Sequence, residues 1–228
     1  MIPSIHPRGR VSVNTTVMES LHAPKIDRKP VLIVVMGVSG TGKSTLGAGL
    51  ARELGIPFID GDDLHPSANV QKMASGQPLT DADREPWLEL IRTTAEHKSV
   101  ELQVEKGSEK IHGLVVGCSS LKRIYRDILR GKRKEVTDTE NAVLPEHLEP
   151  PHPDLLPTYF VFMKGSRELL LDRMQKRKGH FMKASMLDSQ LQTLENPEGE
   201  EGVLVVDAED SIEKQITEVK EGLERLGV

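Results

Sequence analysis

The segment Gly37-Val38-Ser39-Gly40-Thr41-Gly42-Lys43-Ser44 lies directly behind the run "VLIVVM", Val31 to Met36, and directly before "LGAGLARELG". An unbroken β-branched and aliphatic run predicts a strand covered on both faces. The sequence after the glycines predicts a helix closed by Gly55. A glycine turn between such elements lets backbone N–H groups converge at a helix N-terminus, where aligned peptide dipoles add positive potential. The complete G-x-x-x-x-G-K-[ST] pattern assigns Gly37, Ser39, Gly40, Thr41, Gly42, Lys43, Ser44 and Thr45 to the phosphates of a nucleoside triphosphate. In it Lys43 reaches the β and γ phosphates and the Ser44 hydroxyl ligates Mg²⁺. Because such a loop needs a strand behind it and a helix after it, it restricts the fold more than any other stretch.

The remaining chain keeps that alternation. "PFIDGDD" predicts a second strand, and "HPSANVQKMASG" a helix with Pro66 in its first turn and Gly76 at its end. A long helix is expected from near Arg84 to about Glu105, followed by strand "IHGLVVGCS" and the basic helix "LKRIYRDILRGKRK". "TYFVFMKG", "SRELLLDRMQKRKGH", "GVLVVDAED" and "SIEKQITEVKEGLERL" supply strand, helix, strand and helix. This order predicts an α/β protein, a P-loop NTPase three-layer sandwich whose parallel sheet carries helices on both faces. Residues 1–30 lack period and any apolar signal core and are expected to be a disordered tail; their hydroxyl and basic content leaves a mitochondrial leader as the alternative. The kinase-sized domain then spans 31–228. Within it, residues 131–157 are rich in proline and acids and read as an irregular insertion.

Composition excludes several functions. With 228 residues, 37% apolar and 3% aromatic, the core must be aliphatic. A net charge of −5 is unsuited to a general nucleic-acid binder. No apolar run approaches the ~18 residues of a membrane span. The lone Cys118 permits no internal disulfide and suits a reducing, cytoplasmic compartment. His65, His97, His112, His147, His152 and His180 show no metal-ligand spacing. The D-x-x-G and N-K-x-D signatures of GTPase switches are missing. An AAA-type ATPase or motor would be longer and would end its third strand in acids, where this chain reads "VVGCSSLK".

A kinase for a small molecule needs an acid at the acceptor hydroxyl, cations for the transferring phosphoryl and a lid that excludes water. "IDGDDLHP" offers the acids. If the chain stays extended there, Asp60 and Asp62 point the same way across Gly61, at the sheet edge where ligands of open α/β folds sit. Asp60 is then expected in the outer shell of the metal and Asp62 at the acceptor hydroxyl as base or orienter, with Asp63 serving the next helix N-terminus. Arg173 and Arg177, four apart, are either lid cations or a solvated basic face; Lys122 and Arg126 either hold an anionic substrate or do not.

Taken together, "GVSGTGKST", "IDGDDLHPSANVQKMASGQPLTDADREPWL", "CSSLKRIYRDILR" and "RKGHFMKASMLDSQLQTLENP" resemble the small P-loop gluconokinases, related in fold to shikimate kinase. The similarity runs from about Val31 to Asp207, broken by the insertion. It implies ATP-dependent phosphorylation of D-gluconate on its 6-hydroxyl, which feeds the pentose phosphate pathway, in a homodimer. It also implies His65, Lys72, Arg84, Lys122, Arg126 and Gln190 near the substrate with Asp62. Lys43, Asp62, Arg173 and Arg177 become the catalytic set, with a mobile lid over about 166–186. Met73, Pro78, Leu79 and Trp87 read as packing. Lys183 stands where the family usually has proline. Another small hydroxy or sugar acid as acceptor, and a lapsed nucleotide-binding regulator, are the competing readings.

Overall fold

A computed structural model describes residues 30–106, 111–132, 156–176 and 184–228. The expected tail, most of the insertion, Arg177 and Lys183 lie outside these residues, and with them the centre of the expected lid. Five parallel strands form one sheet in the order β2-β3-β1-β4-β5. They are β1 (Val31–Met36), β2 (Phe58–Asp60), β3 (Gly113–Gly117), β4 (Thr158–Lys164) and β5 (Val203–Asp207). Between them run α1 (Lys43–Leu54), α2 (Ser67–Ala74), α3 (Asp81–Lys106), α4 (Arg123–Leu129), α5 (Arg167–Lys176), α6 (Ala184–Thr193) and the closing α7 (Ile212–Arg225).

Strand β1 shows why the core has three layers. Its side chains alternate, so Leu32, Val34 and Met36 join Trp87, Leu88 and Ile91 of α3 and Tyr125 and Leu129 of α4. Val31, Ile33 and Val35 pack with Leu46 and Leu50 of α1 and Val219 and Leu223 of α7. A smaller cluster unites Val38 of the phosphate loop with Leu121, Leu170, Met174 and Leu187, tying α5 and α6 to that loop.

Two element boundaries differ from expectation. β2 ends at Asp60 and the chain turns at once into a 3₁₀ turn, Gly61–Leu64. The cause is local: Asp60 Oδ1 accepts the Asp62 N–H at 3.2 Å and so caps the turn. Asp62 therefore leaves the sheet on a turn, not on an extended strand. The capping acid is Asp60, while Asp63 is exposed and α2 begins behind Pro66 without a side-chain cap. Helix α3 starts at Asp81, three residues before the expected Arg84, because Thr80 and Asp83 cap each other: Thr80 N–H donates to Asp83 Oδ2 at 2.6 Å and Asp83 N–H to Thr80 Oγ1 at 3.3 Å. Of the four residues read as packing, Leu79 and Trp87 are buried, whereas Met73 and Pro78 are exposed.

Candidate active site

The phosphate loop closes β1 and opens α1 as its sequence requires. Gly37, Gly40 and Gly42 all carry positive φ. At Gly40 a Cβ would sit 3.0 Å from the Leu170 carbonyl, so the residue at this position must also lack a side chain for α5 to approach. Thr41 is buried, its hydroxyl donating to the Val38 carbonyl at 2.9 Å; Lys43 Nζ donates to the same carbonyl at 3.1 Å. Ser44 and Thr45 are exposed at the start of α1.

The acidic turn faces this loop. Ser44 Oγ donates to Asp60 Oδ2 at 2.7 Å, which joins the two residues assigned to the metal. A hydroxyl and a carboxylate are the hard oxygen donors that Mg²⁺ prefers, and so few protein ligands suit a metal that arrives on phosphates. Among the described residues no group of three His, Cys, Asp or Glu side chains could hold a metal by itself. Gly61 permits the turn to lie on β3: a Cβ there would come within 2.6 Å of the Gly117 carbonyl.

Asp62 retains open surface, yet its carboxyl is held above the usual carboxylate range. Partial removal from water is the main cause and the neighbouring Asp60 charge the next, with Lys43 and His65 pulling the other way. His65 is pushed down by burial and by Arg84, against the pull of Asp62, and so it is neutral near pH 7. Its ring stacks on Trp87 with centroids 3.9 Å apart, and the Trp87 indole donates to the Gly61 carbonyl at 2.7 Å. The amide nitrogen of buried Asn69 lies 3.4 Å from His65 Nδ1 and donates to the Asp83 carbonyl at 2.8 Å. Asn69 and Trp87 thus lock His65 between α2 and α3. No role was assigned to Asn69 from the sequence, and the local signal for it is slight because a buried asparagine in a short helix has no distinctive spacing.

The expected cations divide sharply. Lys72 pairs with Asp83 at 2.5 Å and Lys122 with Asp81 at 2.7 Å, the Tyr125 hydroxyl also donating to Asp81. Arg84 donates to the Leu79 and Thr80 carbonyls, its guanidinium carbon 5.8 Å from the Tyr125 ring centroid. Arg126 stands apart from these. It has 0% exposure and spends its guanidinium on Glu200 and on the Ser120 and Leu121 carbonyls. It is an interior ion pair that fastens the loop after α6 to α4, and it presents no surface to a substrate. The four-residue spacing from Lys122 did not reveal this, since the Glu200 partner lies 74 residues away.

Two further residues touch the phosphate loop. Arg173 donates to the Thr41 carbonyl at 3.3 Å and the Ala208 carbonyl at 2.7 Å, so α5 is bound to the loop and to the chain after β5. Gln190 Oε1 of α6 accepts the Ser39 N–H at 2.7 Å. It lies on the phosphate loop, whereas the resemblance put it beside the acceptor. Cys118 is buried and its thiol is raised to about 11, so it is no nucleophile at neutral pH.

A family described as an AAA domain matches residues 33–201, and the chain belongs to it at the level of the fold. The match runs from within β1 through β4 and stops before β5, and it corrects the expectation that an AAA-type chain would be longer and would carry acids after its third strand. The APS kinase CysC of Mycobacterium tuberculosis shares the fold at TM-score 0.55 and 20% identity, covering 86% of this chain and 98% of its own. More specific relatives are the gluconokinase of Gluconobacter oxydans, 47% identical over 82% of this chain and 88% of its own length, and the thermoresistant gluconokinase of Escherichia coli, 37% identical over 80% and 87%. A crystal structure of a gluconokinase from Sinorhizobium meliloti superposes with TM-score 0.65 at 42% identity, covering 87% of this chain and 94% of that one. With these relatives each matched over 80% or more of its length, the chain belongs to the gluconokinase family.

Proposed function

We propose that the protein transfers the γ-phosphoryl group of ATP to the 6-hydroxyl of D-gluconate, with Mg²⁺, giving 6-phospho-D-gluconate for the pentose phosphate pathway. The observation that carries this reading is the apposition of the acidic turn to the phosphate loop, through Ser44 Oγ donating to Asp60 Oδ2 while Asp60 Oδ1 accepts the Asp62 N–H. The relatives' shared name supplies the acceptor.

In such a transfer the protein contributes position and charge. The loop amides and Lys43 hold the phosphates, and Asp60 orients Ser44. Bound Mg²⁺ would neutralise charge on the phosphate oxygens. Asp62 is placed to accept a hydrogen bond from the acceptor hydroxyl and to take its proton as the new P–O bond forms. Its raised affinity for a proton makes it a better acceptor than an ordinary surface carboxylate. The neutral His65, fixed against Trp87, offers a hydrogen bond to the acceptor and not a second positive charge. Arg173 and Arg177 remain the lid cations of this proposal, over a lid spanning about 166–186.

The same reading brings a cytoplasmic location and a homodimer. The deciding assay is ADP release from MgATP with D-gluconate, beside glucose, shikimate, other aldonates and a blank without acceptor. Release confined to gluconate supports the reading. Release with a different acceptor alone discards the substrate, and no release while ATP still binds discards the activity.

A further inference from the structure

Five basic side chains are expected around the acceptor, His65, Lys72, Arg84, Lys122 and Arg126, and three of the four lysines and arginines already have an internal carboxylate: Lys72 with Asp83, Lys122 with Asp81 and Arg126 with Glu200. His65 is held toward its neutral form by burial. Among the described residues, Arg84 alone of the four lysines and arginines has no carboxylate within ion-pair distance, Asp81 acting on it only from farther away. We propose that Arg84 is the receptor for the carboxylate of the sugar acid, and that Asp81 and Asp83 sit beside it as acceptors for the substrate's hydroxyl groups. This rests on the proposed gluconokinase activity and deepens it by naming which end of the acceptor each residue reads.

Charge bookkeeping favours this arrangement. A substrate carboxylate arriving at Lys122 or Lys72 must displace Asp81 or Asp83, or share the ammonium with it. The first exchanges one ion pair for another and strands a carboxylate, while the second brings two like charges together. At Arg84 a new pair forms with no ion pair exchanged: Arg84 acts on Asp81 only at longer range, and Asp81 and Asp83 are each already paired with a lysine. The guanidinium is also held in place beforehand, since its Nη1 donates to the Leu79 and Thr80 carbonyls. A planar fork so fixed loses little freedom on taking a carboxylate and can bond it through two nitrogens.

The geometry of the site runs the same way. Ser44, next to Lys43, bonds Asp60, Asp60 caps the turn that carries Asp62, and His65 stacks on Trp87 of α3, the helix that also carries Arg84. The order from the phosphate loop to α3 is therefore phosphate cation, acidic turn, imidazole ring and arginine, which matches a chain with its hydroxyl at one end and its carboxylate at the other. Asp81 and Asp83 each keep acceptor capacity after pairing with lysine. Both are held below the usual carboxylate range, chiefly by those lysines, and so stay ionised at any working pH.

The test compares Arg84→Gln with Lys72→Met and Lys122→Met in the full chain, reading KM and kcat for D-gluconate. Affinity for a fluorescent ATP analogue serves as the check on folding. Loss of a charge-assisted bidentate bond predicts a KM raised ~10- to 100-fold in Arg84→Gln, with kcat changed much less. The lysine variants should raise KM less than Arg84→Gln does, since they act on the substrate only through Asp83 and Asp81. Should Arg84→Gln lose nucleotide binding, Arg84→Lys carries the test, keeping the charge but not the fork and giving an intermediate KM. An unchanged KM in the Arg84 variants, or a larger rise in either lysine variant, overturns the assignment. A wild-type protein that ignores gluconate overturns the activity itself, and the two failures are thereby told apart.

Discussion

At the scale of single residues, the behaviour of Asp62 follows from its neighbours. Partial desolvation and the Asp60 charge both favour its protonated form, and Lys43 only partly offsets them. Replacing it by asparagine keeps the shape but removes the proton acceptor. Asp62→Asn should therefore lower kcat by ~10²- to 10⁴-fold while leaving the affinity for MgATP within a few-fold, as steady-state kinetics and nucleotide titration would read. Near-normal turnover would remove Asp62 from the mechanism. The sign of the pH dependence is also fixed. The folded carboxyl releases its proton at a higher pH than a free aspartate, so activity should be lost as pH falls through that raised value. The acid limb of kcat/KM should lie above the ordinary carboxylate value of 3.8. A limb at or below that value would contradict the environment described for Asp62.

At the scale of elements, helices α2, α3 and α4 are joined by charged side chains as much as by apolar ones. Asp83 links the capping box of α3 to Lys72 of α2, and Asp81 links the first turn of α3 to Lys122 and Tyr125. Arg126 anchors α4 to Glu200, and Arg130 shares the same carboxylate at 3.0 Å. Removing Arg126 leaves Glu200, only 16% exposed, with one cation in place of two. Arg126→Met should destabilise the fold by about 3 kcal/mol, read as a lower urea midpoint, because a largely buried carboxylate then keeps only Arg130 as its partner. Its KM for gluconate should stay near normal. A stable variant with a raised KM would instead return Arg126 to the substrate. The boundaries of these elements were partly legible. T-x-x-D before α3 is a capping signal, and it predicts the earlier start at Asp81. That Asp60 would end β2 by bonding the amide two residues on was not visible, since an aspartate in "IDGDD" is equally compatible with an extended strand.

At the scale of the whole molecule, the insertion starts and ends at one point. Arg92 Nη1 donates to the Leu129 carbonyl at 3.0 Å and to the Leu156 carbonyl at 2.9 Å, and Thr158 Oγ1 donates to the same Leu129 carbonyl. The two ends are thus held together by the folded domain, whatever chain lies between. Replacing residues 133–155 with a short glycine-serine link should leave kcat for gluconate within ~2-fold. Stability should change little, because each doubling of loop length costs only about 0.6 kcal/mol in closure entropy. A collapse of turnover in a variant that still binds ATP would show that the insertion belongs to the active site or to a partner.

The sequence by itself determined the phosphate loop, the alternation of strands and helices and the cluster of acids behind β2, though not the turn that cluster takes. Each of these is local: a glycine pattern, a hydrophobic period, a cluster of acids a few residues long. The tertiary structure alone decided which cation serves which acid. Lys72 and Asp83 are 11 residues apart, Lys122 and Asp81 41, and Arg126 and Glu200 74. Spacing along the chain carries no information about such pairs, because they form only when the sheet brings its carboxyl-edge loops together. That is why two cations written four apart in the sequence, Lys122 and Arg126, end in different places: one at the exposed Asp81 carboxylate, the other sealed in the interior.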